Sequence, residues 1–148
     1  MASNRIRKLT RKTGMQPGSL VFTGKQKSEE VRVHLTRYNS EKLEEKEFLG
    51  LNGMPRPGGE FTVSWIDIKA LHDPAVIEAS GKMFGIHPLV LEDILNTNQR
   101  PKIEYSENQL FIVLKMLSWN EKEHLVEAEQ ISLILGENYV ITYQENYD

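Results

Sequence analysis

Three stretches in residues 109–145, QLFIVLKMLSW, LVEAEQISLIL and NYVITYQE, succeed one another with only NEKEH and GEN between them. Each is rich in β-branched, aromatic and long apolar residues, and the connectors are short and polar, which suits antiparallel hairpins. A chain ending in such a meander must build a sheet. Further upstream, VRVHLTRY (residues 31–38) alternates Val31, Val33 and Leu35 with Arg32, His34 and Thr36, the period of a half-buried strand. SLVFTG (19–24) and EFTVSWIDI (60–68) also read as strands.

Helices are expected between these strands. In HDPAVIEASGKMFG, Asp73 is placed as N-cap, Pro74 as the first helical residue and Gly85 as the terminator, with Val76, Ile77, Met83 and Phe84 on one face. Gly81 inside that helix costs about 1 kcal/mol relative to alanine. HPLVLEDILN begins a second helix with Pro88 in its first turn and Leu91, Ile94 and Leu95 as the buried stripe. EKLEEKEFL (41–49) is predicted to be a short helix capped by Ser40 and ended by Gly50, and NGMPRPGG (52–59) a loop. Helices in the middle and strands at both ends predict an α/β fold with a mixed sheet and helices on its faces.

Composition narrows the chemistry. The 148 residues, 39% hydrophobic and 26% charged, suit one soluble domain with a core. There is no cysteine, so any metal must be held by oxygen or by the four histidines. The net charge of −3 gives no support to general nucleic-acid binding. The exception is a basic arm, expected to be disordered over residues 1–16, which carries Arg5, Arg7, Lys8, Arg11 and Lys12. The longest apolar runs are about five residues, far short of the ~20 needed to span a bilayer. Phosphate loop, nucleophile elbow and His-Glu-x-x-His are all lacking, so the chain reads as a non-enzyme with no catalytic residues. Trp65, Phe84, Phe111, Trp119, Tyr139 and Tyr143 are expected to pack in the core.

The pair Glu92 and Asp93 stands out because it lies beside the apolar stripe of a short helix. Near a helix start, carboxylates are stabilised by the macrodipole, and that alone accounts for them; metal or partner binding is the competing reading. Positions i and i+1 point about 100° apart on a helix, so the two cannot easily chelate one ion unaided. Arg100, Pro101 and Lys102 after the helix serve either as its stop or as an ion pair that positions Asp93. His87 reads as a residue leading into the helix rather than as a ligand, and His34, His72 and His124 are scattered.

FGIHPLVLEDILNTNQRPKIEY, followed by LFIVLKML, EQISLIL and YVITYQE, resembles the N-terminal cytoplasmic domain of the CorA family of magnesium transport proteins. The resemblance covers about residues 17–145, and a CorA-like domain is accordingly assigned to residues 17–148. It implies a three-layer α/β/α sandwich, five copies of which form a cytosolic funnel in a homopentamer at the cell inner membrane. It also implies a stalk helix and two membrane helices that are absent from this sequence, which leaves the fragment itself free to be monomeric. By the same resemblance Asp93, and second to it Glu92, contribute to regulatory divalent-cation sites between subunits, binding Mg²⁺, with Co²⁺ or Ni²⁺ as substitutes. The expected function is thus a Mg²⁺-sensing domain that gates transport. Alternatives are the regulatory domain of a related zinc transporter, a free-standing α/β protein-interaction domain and, least supported, a metal-dependent hydrolase using Glu92 and Asp93.

Overall fold

Alternating apolar residues settle which strand face is buried, and the sheet is built accordingly. The computed structural model describes residues 14–24, 30–69 and 71–145. Most of the expected basic arm, residues 1–13, lies outside them. The described elements are β1 (Arg32–Tyr38), β2 (Leu43–Leu49), β3 (Val63–Lys69), α1 (Pro74–Phe84), α2 (Pro88–Leu95), β4 (Lys102–Tyr105), β5 (Leu110–Asn120), β6 (Leu125–Leu135) and β7 (Tyr139–Gln144). All seven strands join one sheet in the order β2-β1-β3-β7-β6-β5-β4. The β3–β7 pairing is parallel and the others are antiparallel. A parallel pair needs a long crossover, and here both helices and strands β4 to β6 supply it.

The registers place Val33, Ile68 and Tyr143 in one row, and Leu35, Ile66 and Ile141 in the next. All six side chains are buried, together with Ile77 of α1 and Leu91, Ile94 and Leu95 of α2. Both helices therefore cover the same sheet face. The α/β class and the mixed sheet expected from the sequence are what the chain forms. On the opposite face Ile103, Tyr105, Leu114, Met116 and Leu135 remain exposed.

Helix α1 begins and ends where its sequence signals lie. The Asp73 carboxylate accepts from Ala75 N–H at 2.9 Å, and Gly85 closes the helix in the left-handed region at φ 66°. Its packing on α2 requires Gly81, since a Cβ there would collide with the Leu91 side chain.

Two expected elements are overturned. Within residues 41–49, Leu43–Leu49 form strand β2 instead of a helix. Asn39 Oδ1 accepts from the N–H groups of Glu41 and Lys42, both at 2.8 Å, and so reverses the chain into a hairpin. Cross-strand pairs Arg32–Glu47 and Arg37–Glu44 then outweigh the helical propensity of the glutamates and lysines. Residues 19–24 form no strand; Thr23 N–H donates to Leu95 O at 3.1 Å, tying the segment to the end of α2 rather than to a sheet edge. The aromatic expectation fails at two positions, with Trp65 46% and Trp119 58% exposed. Trp65 projects from the open face of β3, where its Nε1–H donates to Thr142 Oγ1 at 3.0 Å, and Trp119 lies near the far end of the β5–β6 hairpin. Strand β4, which the sequence reading did not anticipate, completes the sheet beside β5.

Candidate functional site

Helix α2 is primed by its first two residues. His87 caps it, with Nδ1 accepting from Leu89 N–H at 3.2 Å, and Pro88 follows at the first position. Only eight residues long, the helix turns Leu91, Ile94 and Leu95 inward. Glu92 and Asp93 consequently flank the buried stripe, and the structure sends them apart. Glu92 Oε2 accepts from Gly18 N–H at 2.7 Å, latching the segment before β1 onto α2. Asp93 turns the other way, towards β4.

Both oxygens of Asp93 are engaged. Gln99 Nε2 donates to Oδ1, and Lys102 Nζ donates to Oδ2 at 2.6 Å. Lys102 sits on β4 and also bonds Glu104 Oε1 at 2.6 Å, with the Phe111 ring 5.5 Å from its nitrogen. The Asp93 and Lys102 side chains are 24% and 27% exposed, so the pair is partly shielded but open to solution. Burial works against the charge on Lys102, yet its bonds to Asp93 and Glu104 prevail and raise its pKa above the ordinary lysine value. Of the two readings of the QRPK sequence, a helix stop or an ion pair to Asp93, the ion pair is made, by Lys102.

A buried polar network supports this corner. Gln130 of β6 is 1% exposed; its Oε1 accepts from Gln99 N–H at 3.1 Å and from Lys115 Nζ at 3.2 Å, and its Nε2 donates to Asp93 O at 3.3 Å. Lys115 Nζ also donates to Thr97 O at 2.8 Å. Burial pushes the Lys115 pKa below the ordinary lysine value, with Glu145 opposing. Sequence reasoning missed Gln99, Gln130 and Lys115. The signal was present for one of them: Gln130 occupies an inward position, two and four residues before Ser132 and Ile134, where a long amide side chain calls for partners in the layer above.

A carboxylate oxygen of partial exposure is a hard donor of the type that Mg²⁺ accepts, and Mg²⁺ usually takes only one or two protein carboxylates while keeping several waters. Among the described residues no three or more His, Asp or Glu side chains cluster to hold an ion within one chain. Asp93 therefore fits as a contributor to a site and not as a complete one. Two grooves of about 500 and 490 Å³ lie elsewhere, and neither is lined by Glu92 or Asp93. Among the described residues no helix is long and apolar enough to cross a membrane.

Comparison with known proteins matches residues 61–147 to the family described as CorA-like Mg²⁺ transporter protein. The chain is 42% identical over 139 residues to the cobalt/magnesium transport protein CorA of Thermotoga maritima. That alignment takes in 94% of this chain and 39% of the relative, so the chain spans about two fifths of the relative's length. The soluble domain of CorA from Methanocaldococcus jannaschii superposes with a TM-score of 0.57 at 14% identity, over 78% of this chain and 41% of that one. The cytoplasmic domain of ZntB from Vibrio parahaemolyticus superposes with a TM-score of 0.57 at 10% identity, over 80% of this chain and 46% of that one. At those identities the structural likeness concerns the fold alone.

Proposed function

The chain belongs to the family of CorA-like Mg²⁺ transporter proteins, and from that premise we propose that it is the cytoplasmic regulatory domain of a divalent-cation transporter, in which Asp93 forms part of a cation site shared between neighbouring subunits. The observation that carries this reading is the position of Asp93 within the matched region, partly exposed and, among the described residues, in no group of three or more His, Asp or Glu side chains that could hold an ion. Such a carboxylate is half of a site. Carboxylates that face one another across an interface repel until a cation lies between them, so rising Mg²⁺ favours the packed arrangement of subunits and falling Mg²⁺ loosens it. The ion acts through its higher affinity for one arrangement.

Further parts of the proposal follow from membership of the family. The working assembly is a homopentamer at the inner membrane, the chain has no enzymatic activity, and Co²⁺ or Ni²⁺ replace Mg²⁺ at the regulatory site. Glu92 stands second to Asp93 in this reading, and its Oε2 accepts from Gly18 N–H. The apolar open face of the sheet suits cover by the second helical layer of a three-layer sandwich.

The isolated chain is expected to bind Mg²⁺ only weakly, and calorimetry that found a site much tighter than millimolar in the monomer would refute the half-site. In the assembled transporter, Mg²⁺ should protect the wild-type protein against limited proteolysis, and Asp93→Asn should remove most of that protection while leaving the folded domain intact. Equal protection in the variant would remove Asp93 from the mechanism.

A further inference from the structure

We propose that Lys102 determines which cations the Asp93 site admits: its ammonium is a tethered competitor that a divalent ion can displace and a monovalent ion cannot. The inference rests on the cation-binding reading of Asp93 given above. Asp93 is not an open carboxylate. Lys102 Nζ lies 2.6 Å from Oδ2 and the Gln99 amide bonds Oδ1, so an incoming cation meets an occupied ligand.

The competitor is a single positive charge held in place by the backbone of β4. A sodium or potassium ion offers the same charge but must be recruited from solution, and so gains nothing over the lysine. A magnesium ion brings twice the charge, and its attraction to one carboxylate at equal distance is about double. Partial burial of the pair limits screening by salt, which keeps that difference effective at physiological ionic strength.

Displacement also has a defined destination. Glu104 Oε1 is already 2.6 Å from Lys102 Nζ, and the Phe111 ring lies beneath at 5.5 Å. When Asp93 is taken by an ion, the ammonium keeps the Glu104 bond and the aromatic face, so it is not left unpaired. Lysine suits the role because its charge is compact and sits on a flexible four-carbon stem, whereas a guanidinium would grip the carboxylate through two parallel bonds.

The test is a titration of the folded chain with MgCl₂ at constant ionic strength, followed by NMR at the amides of Asp93, Gln99 and Lys102, repeated with NaCl as the competing salt. Lys102→Met is expected to lower the Mg²⁺ midpoint about fivefold, the scale of a partly exposed ion pair, and to make that midpoint sensitive to Na⁺. Glu104→Gln is expected to raise the midpoint, because the lysine then has only Asp93 to pair with. A merely structural role would loosen the site in the same direction in both variants. A wild-type chain that titrates at Asp93, with an unchanged or raised midpoint in Lys102→Met, overturns the competitor role and leaves the cation reading standing. Should Lys102→Met fail to fold, an unchanged or lowered midpoint in Glu104→Gln overturns it instead. No Mg²⁺-dependent shift at Asp93 in any of the chains overturns the cation reading, and the competitor role with it.

Discussion

Tyr143 is wholly buried, with its hydroxyl 3.0 Å from Ser80 Oγ, and joins the central strand to α1. Burial pushes its pKa well above the ordinary tyrosine value, outweighing the opposing bond to Ser80, with Tyr139 adding to the rise. The folded chain therefore keeps this proton at a pH where the unfolded chain has lost it. The stability linked to it is fully present below about pH 10 and drains away as pH rises towards the folded value. Tyr143→Phe should cost about 1 kcal/mol at neutral pH, since Ser80 Oγ retains its 2.7 Å bond to Ile77 O. The gap between variant and wild type in urea unfolding should narrow above pH 10. Gln130 presents the harder case, because its buried amide bonds three half-buried partners at once. Gln130→Leu removes three bonds at once, but Lys115 Nζ keeps Thr97 O, Gln99 N–H keeps Asn96 O and Asp93 O keeps Asn96 N–H, so the expected cost is about 1–2 kcal/mol in the same measurement.

At the scale of elements, the contact between α1 and α2 has a single tight point. Alanine at position 81 should gain about 1 kcal/mol of helix propensity over glycine. Its Cβ would meet Leu91, which is nearly fully buried and hemmed in by the core. Overpacking of this type typically costs about 1–3 kcal/mol, so Gly81→Ala should be net destabilising. In a double-mutant cycle, Gly81→Ala placed in a Leu91→Ala background should instead be neutral or stabilising, because the obstacle has gone. Additive effects in chemical denaturation would show that the two helices do not meet there. The β1–β2 hairpin teaches a related lesson. Residues 41–49 carry a strong helical composition, yet a turn at Asn39 and pairing with β1 make Leu43–Leu49 a strand. Lys46 and Arg37 beside Glu44 hold its carboxyl below the usual carboxylate range, a sign of how closely that edge is knitted by charge.

At the scale of the molecule, among the described residues one sheet face is covered by both helices and the other carries exposed apolar side chains. Adjacent residues of β5 make the contrast testable: Val113 is fully buried beneath the helices and Leu114 is half exposed on the open side. Leu114→Lys should change thermal unfolding of the chain by less than about 0.5 kcal/mol. Val113→Lys, which forces an ammonium under the helices, should cost more than about 3 kcal/mol or abolish folding. Similar losses in the two variants would mean that both faces are covered.

Alternation along β1 and along the β5–β7 meander, together with the capping residues Asp73, Pro74, Gly85 and Pro88, determined most of the fold from sequence alone, because such signals act within a few residues of where they are written. The acidic pair was legible too, as was an ion pair from the QRPK sequence. Tertiary structure alone decided that Leu43–Leu49 pair as a strand, that residues 19–24 are tied to the end of α2, and that Trp65 faces outward. It alone separated Glu92, bonded to Gly18, from Asp93, bonded to Lys102 and Gln99. Those outcomes depend on which distant backbone comes to lie beside each segment, and that energy is shared between parts of the chain too far apart for either to encode it.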